Sequence, residues 1–161
     1  PADIMEIWAT APVKRSPVEW AFRWLYNFPE VAVILSGVSS MAQLEENIRI
    51  FAEACPHCMT AEEQNLVRQV INLYASKTKV PCTECGYCLP CPQGVAIPRI
   101  FRYYNNWATF EQDDEAAENY RELIAQAHDA SRCVACGACE QVCPQGIRIS
   151  EELKAAAQAL C

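Results

Sequence analysis

Two stretches of the chain carry thiols at a spacing suited to holding iron. CTECGYCLPCPQGVAI begins at Cys82, and CVACGACEQVCPQGIRI begins at Cys133. Each holds a Cys-x-x-Cys-x-x-Cys triplet, then a fourth cysteine that runs directly into Pro-Gln-Gly. The candidate metal ligands are Cys82, Cys85, Cys88 and Cys91 in the first run, and Cys133, Cys136, Cys139 and Cys143 in the second. A [4Fe–4S] cubane is gripped by four thiolates on separate corners, and a triplet spaced this way lets one loop curl around three of its irons. Gly86 and Gly137 lie inside the triplets, where backbone must approach inorganic sulfide without a side chain in the way. Pro92 and Pro144 stiffen the exits and stop each loop from continuing as helix.

Other uses of cysteine fit less well. A zinc site takes four ligands, usually as two separated Cys-x-x-Cys pairs, and leaves the third Cys of each triplet unemployed. Disulfides suit short secreted chains, whereas no apolar signal segment is seen here and the remaining residues can build a core. Triplet plus Cys-Pro resembles the ligand run of bacterial-type ferredoxins. In two-cluster members the Cys-Pro thiolate reaches the other cluster. The resemblance therefore implies two [4Fe–4S] clusters with crossed ligands. One would use Cys82, Cys85, Cys88 and Cys143, the other Cys133, Cys136, Cys139 and Cys91. The copies differ in one spacing: two residues separate Cys88 from Cys91, and three separate Cys139 from Cys143.

The other reactive side chains take plainer readings. Cys55-Pro56-His57-Cys58 matches, on its own, a strongly oxidising thioredoxin-type motif whose first Cys sits at a helix N-terminus. That motif needs a strand feeding the turn, and here it falls between two helical patterns. It is read as a pair of loop thiols, and Cys161 as a spare one. His128 reads as a surface histidine, and Tyr104 and Trp107 as core aromatics rather than an electron relay.

Stepping outward to the elements, 161 residues make one ordinary domain, or a small domain plus part of another. Hydrophobic residues make up 52%, enough for a packed core, and no run is long enough to span a bilayer. The net charge is −7, and eight thiolates around two doubly charged cores would take it to roughly −11. Such a body repels nucleic acid and anionic membranes and suits a basic docking face on a redox partner protein. Eleven cysteines point to a reducing compartment, hence the cytoplasm. Pro1 is read as an internal position of a longer protein.

Residues 1–15 give no clear pattern. Ser16-Pro17-Val18-Glu19 is a helix start with a capping box, followed by Trp20, Phe22, Trp24, Leu25 and Phe28 on a heavily buried helix. VAVIL at 31–35 predicts a strand buried on both faces, as in a parallel sheet. After Ser36-Gly37, Ser40 and Gln43 cap a helix with Leu44, Ile48 and Phe51 along one stripe. Such a helix–strand–helix cannot stand alone, because a single parallel strand has no neighbour for its backbone. Thr60 with Glu63 caps the next helix, over 61–77, with Leu66, Val70, Leu73 and Tyr74 on its apolar side. Residues 77–81 read as a linker.

Residues 16–47 resemble the last helix–strand–helix of an aldo/keto reductase (β/α)₈ barrel, and the cysteine region resembles the ferredoxin-like tail of one branch of that family. The resemblance implies NAD(P) in the full-length protein, with its adenosine end against Gly37, Gln43, Glu46 and Asn47. Gly37 and Gln43 stand where Lys and Arg commonly hold the 2′-phosphate, which leaves NAD and NADP both open. A solvated helix face is the plain alternative for Glu46 and Asn47. The resemblance also implies an upstream barrel portion that holds the family's catalytic Asp, Tyr, Lys and His; nothing in this chain corresponds to them.

Between the cysteine runs, Ile97–Phe110 and Ala116–Ala127 read as helices, joined by an acidic hinge over Glu111–Glu115. Their aromatics, among them Phe101, Tyr103 and Tyr104, read as core around the clusters. Ser150 is expected to cap a last helix with Leu153, Ala157 and Leu160 facing inward. The helical insert resembles the α-helical ferredoxin domains of respiratory and reductase subunits. The expected fold is mainly α: the end of a barrel over 1–78, then a two-cluster domain over 79–161. Three functions stay open: the electron-transfer module of an aldo/keto reductase-like oxidoreductase, a stand-alone ferredoxin-like carrier, and clusters that only staple the fold.

Overall fold

The structure, a computed structural model, describes residues 1–111 and 114–161. Among these there are helices and no strand, and no helix is long and apolar enough to cross a membrane. The chain forms two compact units, Ala2–Leu73 and Tyr74–Cys161.

The first unit contains α1 (Ala2–Ala9), α2 (Pro17–Tyr26), α3 (Met41–Ala52) and most of α4 (Ala61–Lys77). Trp20 is its anchor. It is 1% exposed, Trp8 of α1 stacks on it at 4.8 Å, and the Arg15 guanidinium lies 4.7 Å from its ring centre. The opening residues, unpatterned as sequence, thus supply a helix and an aromatic partner. Ser16 caps α2 by accepting the Glu19 N–H at 3.1 Å. The Glu19 carboxylate does not turn back to close the box: it pairs with Arg23 at 2.8 Å and Arg49 at 3.1 Å. The box at α4 does close, since Glu63 N–H donates to Thr60 Oγ1 at 3.2 Å and Thr60 N–H to Glu63 Oε2 at 2.9 Å.

Three expectations for this unit are corrected. The buried strand at 31–35 is absent: the segment lacks regular structure, with Val33 76% and Leu35 92% exposed. The physical reason is the one that limits any lone parallel strand: among the described residues no other segment is a strand that could pair with its backbone. The buried face of α3 is Asn47 and Ile50, while Leu44 and Ile48 stay exposed. Phe28 is likewise exposed rather than core, as is Tyr74, the first residue of the second unit.

The second unit is built from α5 (Ile97–Thr109), α6 (Asp114–Ala125), a 3₁₀ turn at Ala130–Arg132, the short α7 (Ala138–Gln141) and α8 (Ile149–Leu160). Helix α5 packs on α6 and α8 around Ile100, Phe101, Tyr120, Leu123, Leu153, Ala156 and Leu160. The expected linker at 77–81 is instead fixed. Val80 is fully buried, and Asn105 of α5 binds both sides of its peptide, accepting from Val80 N–H at 2.9 Å and donating to Val80 O at 2.8 Å. Ser150 does not cap α8, because it already lies in the first turn. Glu140 does so from α7, accepting the Ser150 N–H and hydroxyl at 2.8 Å each. Of the acidic hinge, residues 112 and 113 lie outside the described part, and Asp114 begins α6.

Candidate metal centre

The two cysteine runs fold as two copies of one backbone. In each triplet the second and fourth residues after the first Cys are left-handed: Glu84 (φ 54°) and Gly86 (79°), then Ala135 (53°) and Gly137 (75°). Left-handed residues within such loops turn successive N–H groups inward, forming a concavity that binds anionic sulfur. Glycine at 86 and 137 is thus explained by φ, and an added Cβ there would meet no protein atom within 4 Å. After the triplets, Cys91-Pro92-Gln93-Gly94 and Cys143-Pro144-Gln145-Gly146 make matching turns. Gly94 N–H donates to Cys91 O at 2.9 Å, and Gly146 N–H to Cys143 O at 3.1 Å. A three-residue turn follows each, with Ile97 N–H on Val95 O and Ile149 N–H on Ile147 O, and there α5 and α8 begin. The extra residue of the second run goes into α7, whereas Pro90, with no N–H, ends the first run's turn.

These copies place the thiols around two recesses. One is lined by Cys82, Cys85, Cys88 and Cys143. The other is lined by Cys91, Cys133, Cys136 and Cys139. Each recess thus takes its triplet from one run and its fourth thiol from the other. Apolar walls complete them: Phe101, Ile147 and Ile149 in the first, Val95 and Leu153 in the second, with Ile97 facing both.

The electrostatics of the donor set call for a cation. Burial pushes the Cys82, Cys88 and Cys139 thiols above their ordinary range, and the neighbouring thiols add to the rise. Cys143 is among the charges that raise Cys82, as expected of thiols facing the same recess. Thiols raised in this way become thiolates together only when positive charge enters between them. Among the described residues no three His, Cys, Asp or Glu side chains close on a point as a single ion requires. The thiols line the walls of a wider space, which is what a cubane with four corner irons needs. The donor set fits [4Fe–4S].

Several residues that hold these loops were not legible as site residues. His128 Nδ1 lies 2.7 Å from Gly94 O, and its own carbonyl accepts the Ala96 N–H at 2.9 Å, so it clamps the turn after Cys91. With a carbonyl as partner, Nδ1 carries the proton. Asp129 accepts the Ser131 N–H at 2.8 Å, and burial, which would raise its carboxyl, is outweighed by that bonding, leaving it below the usual range. Glu140 is held low by its bonds to Ser150. Contact across the chain reveals His128 and Glu140, whereas Asp129 is a local cap of the 3₁₀ turn. Of the aromatics, Phe101 lines a recess, while Tyr104 and Trp107 pack against the core with ring centres 6.2 Å apart.

The four residues expected to face a nucleotide, Gly37, Gln43, Glu46 and Asn47, lie in the first unit. Gly37 is exposed, and Gln43 Oε1 accepts from Ser39 N–H at 2.8 Å. Glu46 accepts from the Ser16 hydroxyl at 2.7 Å, and buried Asn47 donates to Ser36 Oγ at 2.9 Å. All three polar positions are thus tied to serines.

A family model described as a 4Fe-4S dicluster domain matches residues 81–147. Comparison with curated proteins and with solved structures gives no match. The cysteine-rich segment is a ferredoxin-like iron–sulfur domain that binds [4Fe–4S].

Proposed function

We propose that this chain is an electron-transfer module carrying two [4Fe–4S] clusters. The observation behind the reading is the exchange of fourth thiols between two recesses that share Ile97. A bound [4Fe–4S] cluster supplies one-electron transfer at a potential set by burial and by hydrogen bonds to sulfur. Cys82, Cys85, Cys88 and Cys143 hold one, and Cys133, Cys136, Cys139 and Cys91 the other. The left-handed loop residues turn N–H groups inward, while Phe101, Ile149 and Leu153 exclude water from the inner walls. Tyr87, Leu89, Val134 and Val142 stay exposed beside the ligand loops and offer an apolar approach to a redox partner protein. Redox titration followed by EPR tests this: both clusters cycle reversibly between oxidised and reduced states. Clusters that are destroyed before either accepts an electron would make them staples instead.

The wider setting we propose is an aldo/keto reductase-like oxidoreductase, with NAD(P) bound in the full-length protein near Gly37, Gln43, Glu46 and Asn47. It is supported by the apolar 31–35 segment, which is largely exposed and without regular structure between α2 and α3. An upstream barrel portion would give that backbone neighbours. Hydrogen exchange on the longer polypeptide would show residues 31–35 protected in a sheet; exchange at the rate of an open chain would contradict this setting. Hydride carries two electrons and each cluster takes one, so direct coupling would normally need a flavin to split them.

A further inference from the structure

The loop between α3 and α4 carries two thiols that cluster binding does not employ. It is pinned from both ends of Asn27, whose carbonyl accepts the His57 N–H at 3.0 Å and whose Oδ1 accepts the Met59 N–H at 3.0 Å. Asn27 and Met59 are buried, and His57 turns the loop back through a left-handed φ of 57°. Pro56 and His57 form the turn itself, so Cys55 and Cys58 stand at its two ends, on either side of the reversal. Cys55 is exposed and Cys58 half-buried, so one sulfur meets reagents from solvent while the other waits behind it.

We infer that Cys55 and Cys58 are a reversible redox pair that closes to a disulfide on reaction with a small soluble disulfide. The Cys55 thiolate attacks one sulfur of the reagent, R–S–S–R. That bond breaks, the leaving RS⁻ takes up a proton, and a mixed disulfide forms on Cys55. The Cys58 thiolate then attacks the Cys55 sulfur and releases the second RSH. The two cysteines lose two electrons and two protons, and the reagent gains both. The turn at Pro56-His57 brings the two cysteines to its ends for the second step, and the pinned loop reduces the entropy of bringing the sulfurs together.

The pair is built for equilibrium rather than speed. Cys58 beside it raises the Cys55 thiol above its ordinary range, although Arg23 of α2 acts in the opposite sense. Little thiolate is therefore present at neutral pH, and attack is slow compared with that of a low-pKa catalytic cysteine. A sensor of the surrounding thiol–disulfide balance fits these properties. The inference does not depend on the clusters, since both thiols belong to the first unit.

The test uses the whole chain with its clusters, held anaerobically at a series of oxidised-to-reduced glutathione ratios, then quenched in acid, alkylated and cut with trypsin. Residues 50–68, between Arg49 and Arg68, contain Cys55 and Cys58 and no other cysteine. We expect this peptide to lose two hydrogens and resist alkylation as the ratio rises, and to revert in excess reduced glutathione. Its closure constant should exceed that of synthetic 50–68 by about tenfold or more, because the folded loop raises the effective thiol concentration. Two free thiols at every ratio, a stable glutathione adduct, or a constant equal to the free peptide's would overturn the inference.

Discussion

Removing the Cys143 thiol takes a wall from the recess of Cys82, Cys85 and Cys88, and none from that of its own triplet. Cys143→Ala should therefore degrade the cluster of the first triplet, toward a three-iron form, while sparing the second; Cys91→Ala should do the reverse. EPR with iron counts on each variant, prepared anaerobically, separates the cases, and damage confined to the variant's own triplet would refute crossed ligation. Backbone strain at the same loops gives a second prediction. Ala135 is left-handed at φ 53° at a position where glycine would fit without penalty. Ala135→Gly should stabilise the cluster-loaded chain by about 1 kcal/mol, and Gly137→Ala should cost about 1–2 kcal/mol, read from denaturant midpoints. The paired cysteine runs and the glycines could be read from the sequence because a short repeat carries them twice. His128 and Asn105 could not, since each acts on backbone far away along the chain.

At the scale of elements, α4 depends on a reciprocal cap. Thr60→Ala should cost about 1 kcal/mol. Its partner Glu63 is also bonded to Arg15 and is 7% exposed. Burial raises the Glu63 carboxyl, but Arg15 and the Thr60 N–H more than offset it, so it lies below its ordinary range. Glu19 follows the same pattern, lowered against burial by Arg23 and Arg49. A depressed carboxyl stabilises the fold at pH above its unfolded value, about 4.3. That contribution is lost as pH falls through the lower folded value. Tryptophan-monitored unfolding should thus show the first unit weakening below about pH 4, with Glu63→Gln losing less on acidification than the unaltered chain. Equal losses would show that Glu63 carries no such linkage. The caps at Ser16, Ser40 and Thr60 were legible because each is a local pattern of a few residues. The open course of 31–35 and the buried face of α3 were not, because burial is decided by neighbours that a local pattern does not specify.

Across the whole molecule, the cluster domain has a core continuous with its metal sites. Ile97, Phe101, Ile149 and Leu153 line the recesses and also belong to the buried cluster between α5, α6 and α8. Ligand binding energy is therefore folding energy here. Complete cluster removal should cost α5 and α8 most of their hydrogen-exchange protection while α2 and α4 keep more of theirs; unchanged protection in α5 and α8 would contradict this. The helical character of this domain was legible in the periodicity of 97–110 and 116–127. The fixed entry at Val80 was not, because it depends on a single asparagine of α5. The central claim is that the eight thiols hold two cubanes, and the most direct measurement is an iron and acid-labile sulfide count on freshly isolated, anaerobic protein. The account predicts about eight irons and eight sulfides per chain, with brown absorbance that bleaches on dithionite. Stoichiometric zinc with no labile sulfide would contradict it.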